Sequence, residues 1–227
     1  MRFFVASVLS LVFLLSCTLS DTRIYSLSLP VAKDMPKAGA VASVNVLLHS
    51  TSYLDQPYIV YRISPYELEI SNASRWDSSP ADMVKEAIKE SLSSSGFFAV
   101  VRASVVTPPG FYQCEVTLRR FERFDKGNDS FGELDFEITF LSPEGSILYS
   151  GSLSKEGKLD DRSFVNLAKF LSEALSQGLD ETSAAIIKSL PALLERTARA
   201  AQDGVCERYK TSRDFVGSVT IPGVWDQ

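Results

Sequence analysis

One histidine and three cysteines in 227 residues leave this chain little to do chemistry with. His49 stands alone, so no group of His and Cys has the spacing of a zinc site. No D-x-D-x-D-G run offers a calcium loop, and no GxxxxGK(S/T) run offers a phosphate cradle. A hydrolase triad would need His49 beside a nucleophile and a carboxylate, yet no GxSxG elbow is present and His49 ends a strand-like run between Leu48 and Ser50. Ser152-Leu153-Ser154-Lys155 spells S-x-x-K, but the two companion motifs of the penicillin-binding enzymes are missing. The expectation is a protein with no catalytic residue, no metal and no cofactor. Positive charge is short as well. The formal net charge is -5, and it becomes -6 once a leader carrying the single cation Arg2 is subtracted. That balance argues against nucleic acid as a partner and against a broad electrostatic grip on anionic lipid. The apolar run from Phe3 to Phe13 is of the length a secretory signal needs and well short of the roughly 20 residues that span a bilayer.

What stands at the end of that run is Leu14-Leu15-Ser16-Cys17. A cysteine directly after a small residue, with leucines before it, resembles a bacterial lipobox. By that resemblance residues 1–16 are a removed leader and Cys17 is the lipid attachment site, carrying a diacylglyceryl thioether and an N-acyl group such as palmitate; a plain signal peptide with an incidental cysteine is the alternative. Several acyl chains make a near-permanent anchor, because a single chain binds only marginally and each further buried CH₂ adds about 0.8 kcal/mol. The linker from Thr18 to Thr22 reaches at most about 17 Å, so the folded body is expected close to the lipid. The other cysteines, Cys114 and Cys206, would meet an oxidising compartment after export. They are open either to one disulfide or to free thiols, with Cys114 on a strand face where an inert buried thiol would also sit.

A hydrophobic content of 45% suffices for one sizeable core. Period-2 alternation predicts strands over Arg23 to Leu29, Val41 to Leu48, Ile59 to Ser64 and Glu67 to Ile70. A helix follows with a capping serine, Ser79, then Pro80 and Asp82 in its first turn, and an apolar stripe of Ala81, Val84, Ile88 and Leu92 that Gly96 stops. Phe97 to Val101 is apolar throughout. Tyr112 to Phe124 alternates until Leu118 and then slips phase at Arg120-Phe121, which predicts a bulge. In Glu133 to Phe140, Leu134, Phe136, Ile138 and Phe140 are expected inward and Glu133, Asp135, Glu137 and Thr139 outward; Ile147 to Leu153 should return antiparallel. A long helix starts near Asp161 or Ser163, with Gly178 in its middle as the expected place for a bend, and Pro191 is read as opening a continuation. The fold class is therefore α+β, a two-layer arrangement of a mixed, mostly antiparallel sheet with two main helices on one face. Residues 17–22 form the acylated start and linker, 23–190 the domain, and 191–227 a C-terminal helical extension and tail.

The stretch Tyr53-Leu54-Asp55-Gln56-Pro57-Tyr58 through Ile70, followed by Arg75-Trp76, resembles the signature region of the ABC-type transport auxiliary lipoproteins, the PqiC-like family. Tyr25-Ser26-Leu27 with Pro30, and Ser79-Pro80 with its helix, are similar to that family too, whereas the tail after Pro191 departs from it. The resemblance implies a periplasm-facing accessory subunit that binds or scaffolds within an MCE-type ABC transport system for phospholipids or other hydrophobic molecules, with an MCE-type protein as partner. Thr18, in place of the aspartate that retains lipoproteins at the inner membrane, favours the outer one. Tyr53, Tyr61, Tyr66, Arg75 and Trp76 are the candidate partner surface, with ordinary sheet packing as the other use of those rings. Ile187, Leu190, Leu193 and Leu194 are open to a second subunit, a homo-oligomer included, with core packing as their ordinary use. A lipoprotein scaffold for outer-membrane or cell-wall assembly is the competing function, and a surface esterase or protease is a third.

Overall fold

The computed structural model describes residues 21–30 and 42–190. The leader, Cys17, Cys206 and the extension after Leu190 lie outside the described residues. Strands β1 (Arg23–Tyr25), β2 (Ala42–Ser50), β3 (Tyr58–Ser64), β4 (Glu67–Trp76), β5 (Phe98–Arg102), β6 (Tyr112–Lys126), β7 (Asp129–Leu141) and β8 (Ile147–Lys158) form one 8-stranded sheet. Helix α1 (Pro80–Ser94) and helix α2 (Phe164–Ser189) pack on it. The long ladders, β6 with β7 and β7 with β8, are antiparallel; β2 and β3 both run parallel to β6. This is the α+β class that the alternation and the two apolar stripes predict.

β6 organises the sheet. One edge pairs with β7 along its whole length, while the other is shared end to end, Tyr112 to Leu118 with β2 and then Arg123 and Phe124 with β3. The expected bulge is there, as a register shift against β7 between Leu118 and Arg120, and it falls where the shared edge passes from β2 to β3. Between those two strands the chain dips inward and buries Leu54.

Several strand boundaries differ from the periodicity, among them the start of β7, at Asp129 rather than Glu133. β1 ends at Tyr25 rather than Leu29, because the chain leaves the sheet for the helix layer: the Ser28 amide donates to Ser172 Oγ at 3.0 Å, and Leu27 and Leu29 pack against the core. β4 runs on to Trp76, since β1 supplies a parallel partner for Ser74, Arg75 and Trp76. β8 continues to Lys158 alongside β7.

Helix α1 starts as its sequence dictates, with Ser79 Oγ accepting from the Asp82 amide at 3.1 Å. It buries Ala81, Val84, Ile88 and Leu92, each large aliphatic side chain contributing roughly 1.5–3 kcal/mol. Gly96 takes the left-handed conformation at φ 74°, which suits a glycine just past a helix end. α2 docks through glycines. The Phe170 ring lies over Gly132 and Gly157, register partners on β7 and β8, and a Cβ at those positions would sit 2.2 and 2.4 Å from ring carbons. Gly178 belongs to an unbroken helix and faces Leu153, where a Cβ would come within 2.1 Å of Cδ2. Its purpose is close approach. Leu190 is buried, so that part of the far apolar stripe is used in the core. Among the described residues no helix is long and apolar enough to cross a membrane.

Candidate functional site

The bulge in β6 decides which of its side chains leave the core. After Leu118 the phase shifts, so Phe121 and Arg123 point to the helix side while Arg120 and Glu122 point to the helix-free face. On that face Glu122 is fully buried, held by Arg62 Nε at 2.7 Å on Oε1 and by the Tyr53 hydroxyl at 3.1 Å on Oε2. Its register partner on β7 is Glu133, also buried, which accepts from Arg120 Nη1 at 2.8 Å. Directly opposed carboxylates repel. Two guanidiniums offset this, one for each acid. Burial, then the charge of Glu122, pushes the Tyr53 phenol up to about 12, and the hydrogen bond to Glu122 raises the Arg62 guanidinium. Glu133 thus departs from its expected place among outward, solvated residues: the Arg120 partner makes its burial tolerable.

A second polar group lies on the helix side. The Arg123 guanidinium lies against both Tyr61 and Phe164, 4.8 and 5.0 Å from their ring centroids, which are themselves 6.3 Å apart. Both of its hydrogen bonds to Asp125 are 2.9 Å, and Ser130 Oγ adds another to Asp125 at 2.6 Å. Arg123 also donates to the carbonyl of Arg162, one residue before the cap Ser163 of α2. This cluster clamps the helix start to β6. The Tyr61 hydroxyl donates to Glu69, which raises its pKa.

The five candidate surface residues are therefore not one patch. Trp76 leaves the group: it is 1% exposed and meets Phe121 edge-on at 5.4 Å, because its parity in β4 turns it to the helix side. Tyr61 serves the Arg123 clamp, and Tyr53 is half-buried on Glu122. Arg75 points the opposite way from Trp76 and is exposed, between its register partners Ile24 on β1 and Tyr58 on β3. Tyr66, at 97% exposure, caps the β3–β4 turn. The row Ile24, Arg75, Tyr58 was not legible as a unit, since it draws on three strands far apart in sequence. The phase slip at Arg120 was the one available signal that Glu122 leaves the core side.

Cys114 is fully buried, and burial pushes its thiol up to about 12, so it is inert toward electrophiles at neutral pH. His49 is exposed at the end of β2, opposite Thr117. Among the described residues no three His, Cys, Asp or Glu side chains are placed to hold a metal ion. A groove of about 510 Å³ between α1 and α2 is lined by Leu29, Ala87, Ser91, Leu179, Ser183 and Ile187, with the Ser91 and Ser183 hydroxyls 2.7 Å apart.

A family model described as "ABC-type transport auxiliary lipoprotein component" matches residues 25–198. In fold, the chain is similar to a protein from Xanthomonas campestris, with a TM-score of 0.63 at 19% identity over 76% of this chain and 99% of that one. It is also similar to a second, uncharacterized protein, with a TM-score of 0.54 at 17% identity over 73% of this chain and 99% of that one. At such identities the likeness speaks of fold alone. No curated protein matches in sequence.

Proposed function

The chain belongs to the family of ABC-type transport auxiliary lipoprotein components, and from that premise we propose that it is a lipid-anchored, periplasm-facing accessory subunit of an MCE-type ABC transport system for phospholipids or other hydrophobic molecules. Membership ties it to an ABC transport system and to the envelope. The finer reading is that Cys17 carries the anchor, in the outer membrane by preference, and that the body works by binding and scaffolding. One observation carries it. On the helix-free face Arg62 is paired with Glu122 and Arg120 with Glu133, while Ile24, Arg75 and Tyr58 are left outward as an apolar row around a cation. Such a row fits a partner surface presenting a carboxylate among apolar side chains.

The test is co-purification from detergent-solubilised envelopes, comparing wild type with Arg75→Glu and Tyr58→Ala. We expect an MCE-type protein with the wild type and at least a tenfold loss with Arg75→Glu, at unchanged thermal stability because both side chains are exposed. Recovery of a cell-wall synthase or an outer-membrane barrel instead would move the chain to an assembly scaffold. Undiminished recovery of the MCE-type protein with both variants would remove this face as the docking surface.

A further inference from the structure

We propose that the β3–β4 hairpin rests on the lipid surface beside Cys17, so that the domain stands end-on to the membrane with Tyr66 in the headgroup layer. This rests on the reading of Cys17 as the lipid attachment site. The argument begins with strand direction. β1 is parallel to β4, with Arg23 opposite Ser74, so the way back from Arg23 toward the N-terminus is the way from Ser74 toward Glu67 and the turn at Tyr66. Arg23 lies six residue steps after Cys17, a reach of at most about 20 Å. β4 bulges between Arg75 and Ile70, so its partner β3 measures the distance: from Tyr58, opposite Arg75, to Ser64, opposite Glu67 beside the turn, is also about 20 Å at the rise of a strand. The anchor's reach therefore matches the distance to the hairpin tip.

The far end of the sheet lies out of range. Trp76, opposite Tyr25, meets Phe121, and from Phe121 back to Tyr112 at the start of β6 is about 30 Å. The loop carrying Val105 adjoins that far end, for the neighbouring Ser104 amide donates to Asn45 on β2, itself opposite Gln113 of β6.

The side chains at the near tip are of the kind that interfaces take. Tyr66 is 97% exposed, and Ile63, Leu68 and Ile70, on the two strands behind it, are exposed at 39, 37 and 46%. Tyrosine combines an apolar ring with a hydroxyl that stays wet, the amphipathic pairing enriched at membrane–water boundaries. Arg62 stiffens the turn, its Nη1 donating to the Pro65 carbonyl at 3.2 Å. Beside the tip Glu67 and Glu69 are acidic and the one arginine at the turn, Arg62, is paired with Glu122, so the contact is apolar insertion and works on zwitterionic lipid.

The experiment uses the acylated full-length mature protein in phosphatidylcholine vesicles. A bimane label is placed by Tyr66→Cys, or by Val105→Cys at the far end, in a Cys206→Ser background in which buried Cys114 stays unlabelled. We expect nitroxide-labelled phosphatidylcholine to quench the label at 66 at least threefold more than the label at 105. Equal quenching at the two positions, or a label at 66 that stays aqueous while the protein floats with the vesicles, overturns the proposal and leaves the tip to a protein partner. A protein that fails to float overturns the lipidation of Cys17, and the proposal with it.

Discussion

Arg62 and Glu122 lie sixty residues apart in the chain, yet Nε of the first is 2.7 Å from the carboxylate of the second. β3 and β6 are parallel neighbours through Tyr61 with Arg123 and Arg62 with Phe124, and this register sets the arginine beside the buried acid. The pair sits on a face that helices leave uncovered, so its closeness is a property of the sheet itself.

Removing the arginine leaves Glu122 buried without its counter-charge. Arg62→Ala should therefore lower unfolding stability by about 3–5 kcal/mol, whereas replacing both by apolar residues, Arg62→Met with Glu122→Leu, should cost much less. Urea denaturation of Arg62→Ala, and of Arg62→Met and Glu122→Leu singly and together, checks this. Additive losses would show that the two groups are not coupled.

The phenol of Tyr53 titrates near 10 in an unfolded chain and near 12 in the fold. The fold favours its neutral form, so this contribution is whole below about pH 10, declines as pH rises toward 12 and is lost above it. Tyr53→Phe should cost about 0.5–1.5 kcal/mol at neutral pH, from the hydrogen bond to Glu122, and should show less alkaline decline than the wild type. Urea midpoints of both proteins from pH 8 to 12 measure it. A difference between them that does not shrink with rising pH would contradict the shift.

At Gly178 two effects oppose each other. Helix propensity favours alanine by about 1 kcal/mol. Against that, the new methyl would lie 2.1 Å from Leu153 Cδ2 and 3.1 Å from its Cγ, in a packed interface where overfilling costs about 1–3 kcal/mol. Gly178→Ala should destabilise the protein, and in a Leu153→Ala background the same change should become neutral or favourable. Thermal unfolding of the four proteins in that cycle decides between packing and propensity. A stabilised single variant would mean that Leu153 moves aside freely.

Much of the scaffold could be read in advance, because local rules and the final fold agree there. Ser79-Pro80 opens α1, Ala81 to Leu92 give its buried stripe, and Leu134 to Phe140 alternate inward as written. The slip at Arg120-Phe121 is a bulge for the reason it looks like one: two inward phases cannot be joined without an extra residue. The candidate surface was less legible. Tyr61, Tyr66, Arg75 and Trp76 are near in sequence, but strand parity and the hairpin send them to the helix side, the tip, the open face and the core.

The chain alone determined most of its elements, its poverty in histidine and cysteine and the family resemblance, since each of these is written in its residues. Only the tertiary structure decided that Gly132 and Gly157 make a slot for Phe170, that Glu122 meets Arg62, and that Arg75 stands between Ile24 and Tyr58. Those contacts depend on which strands lie side by side and in what register. Pairing of that kind is set by the burial of the whole core, and no local pattern encodes it.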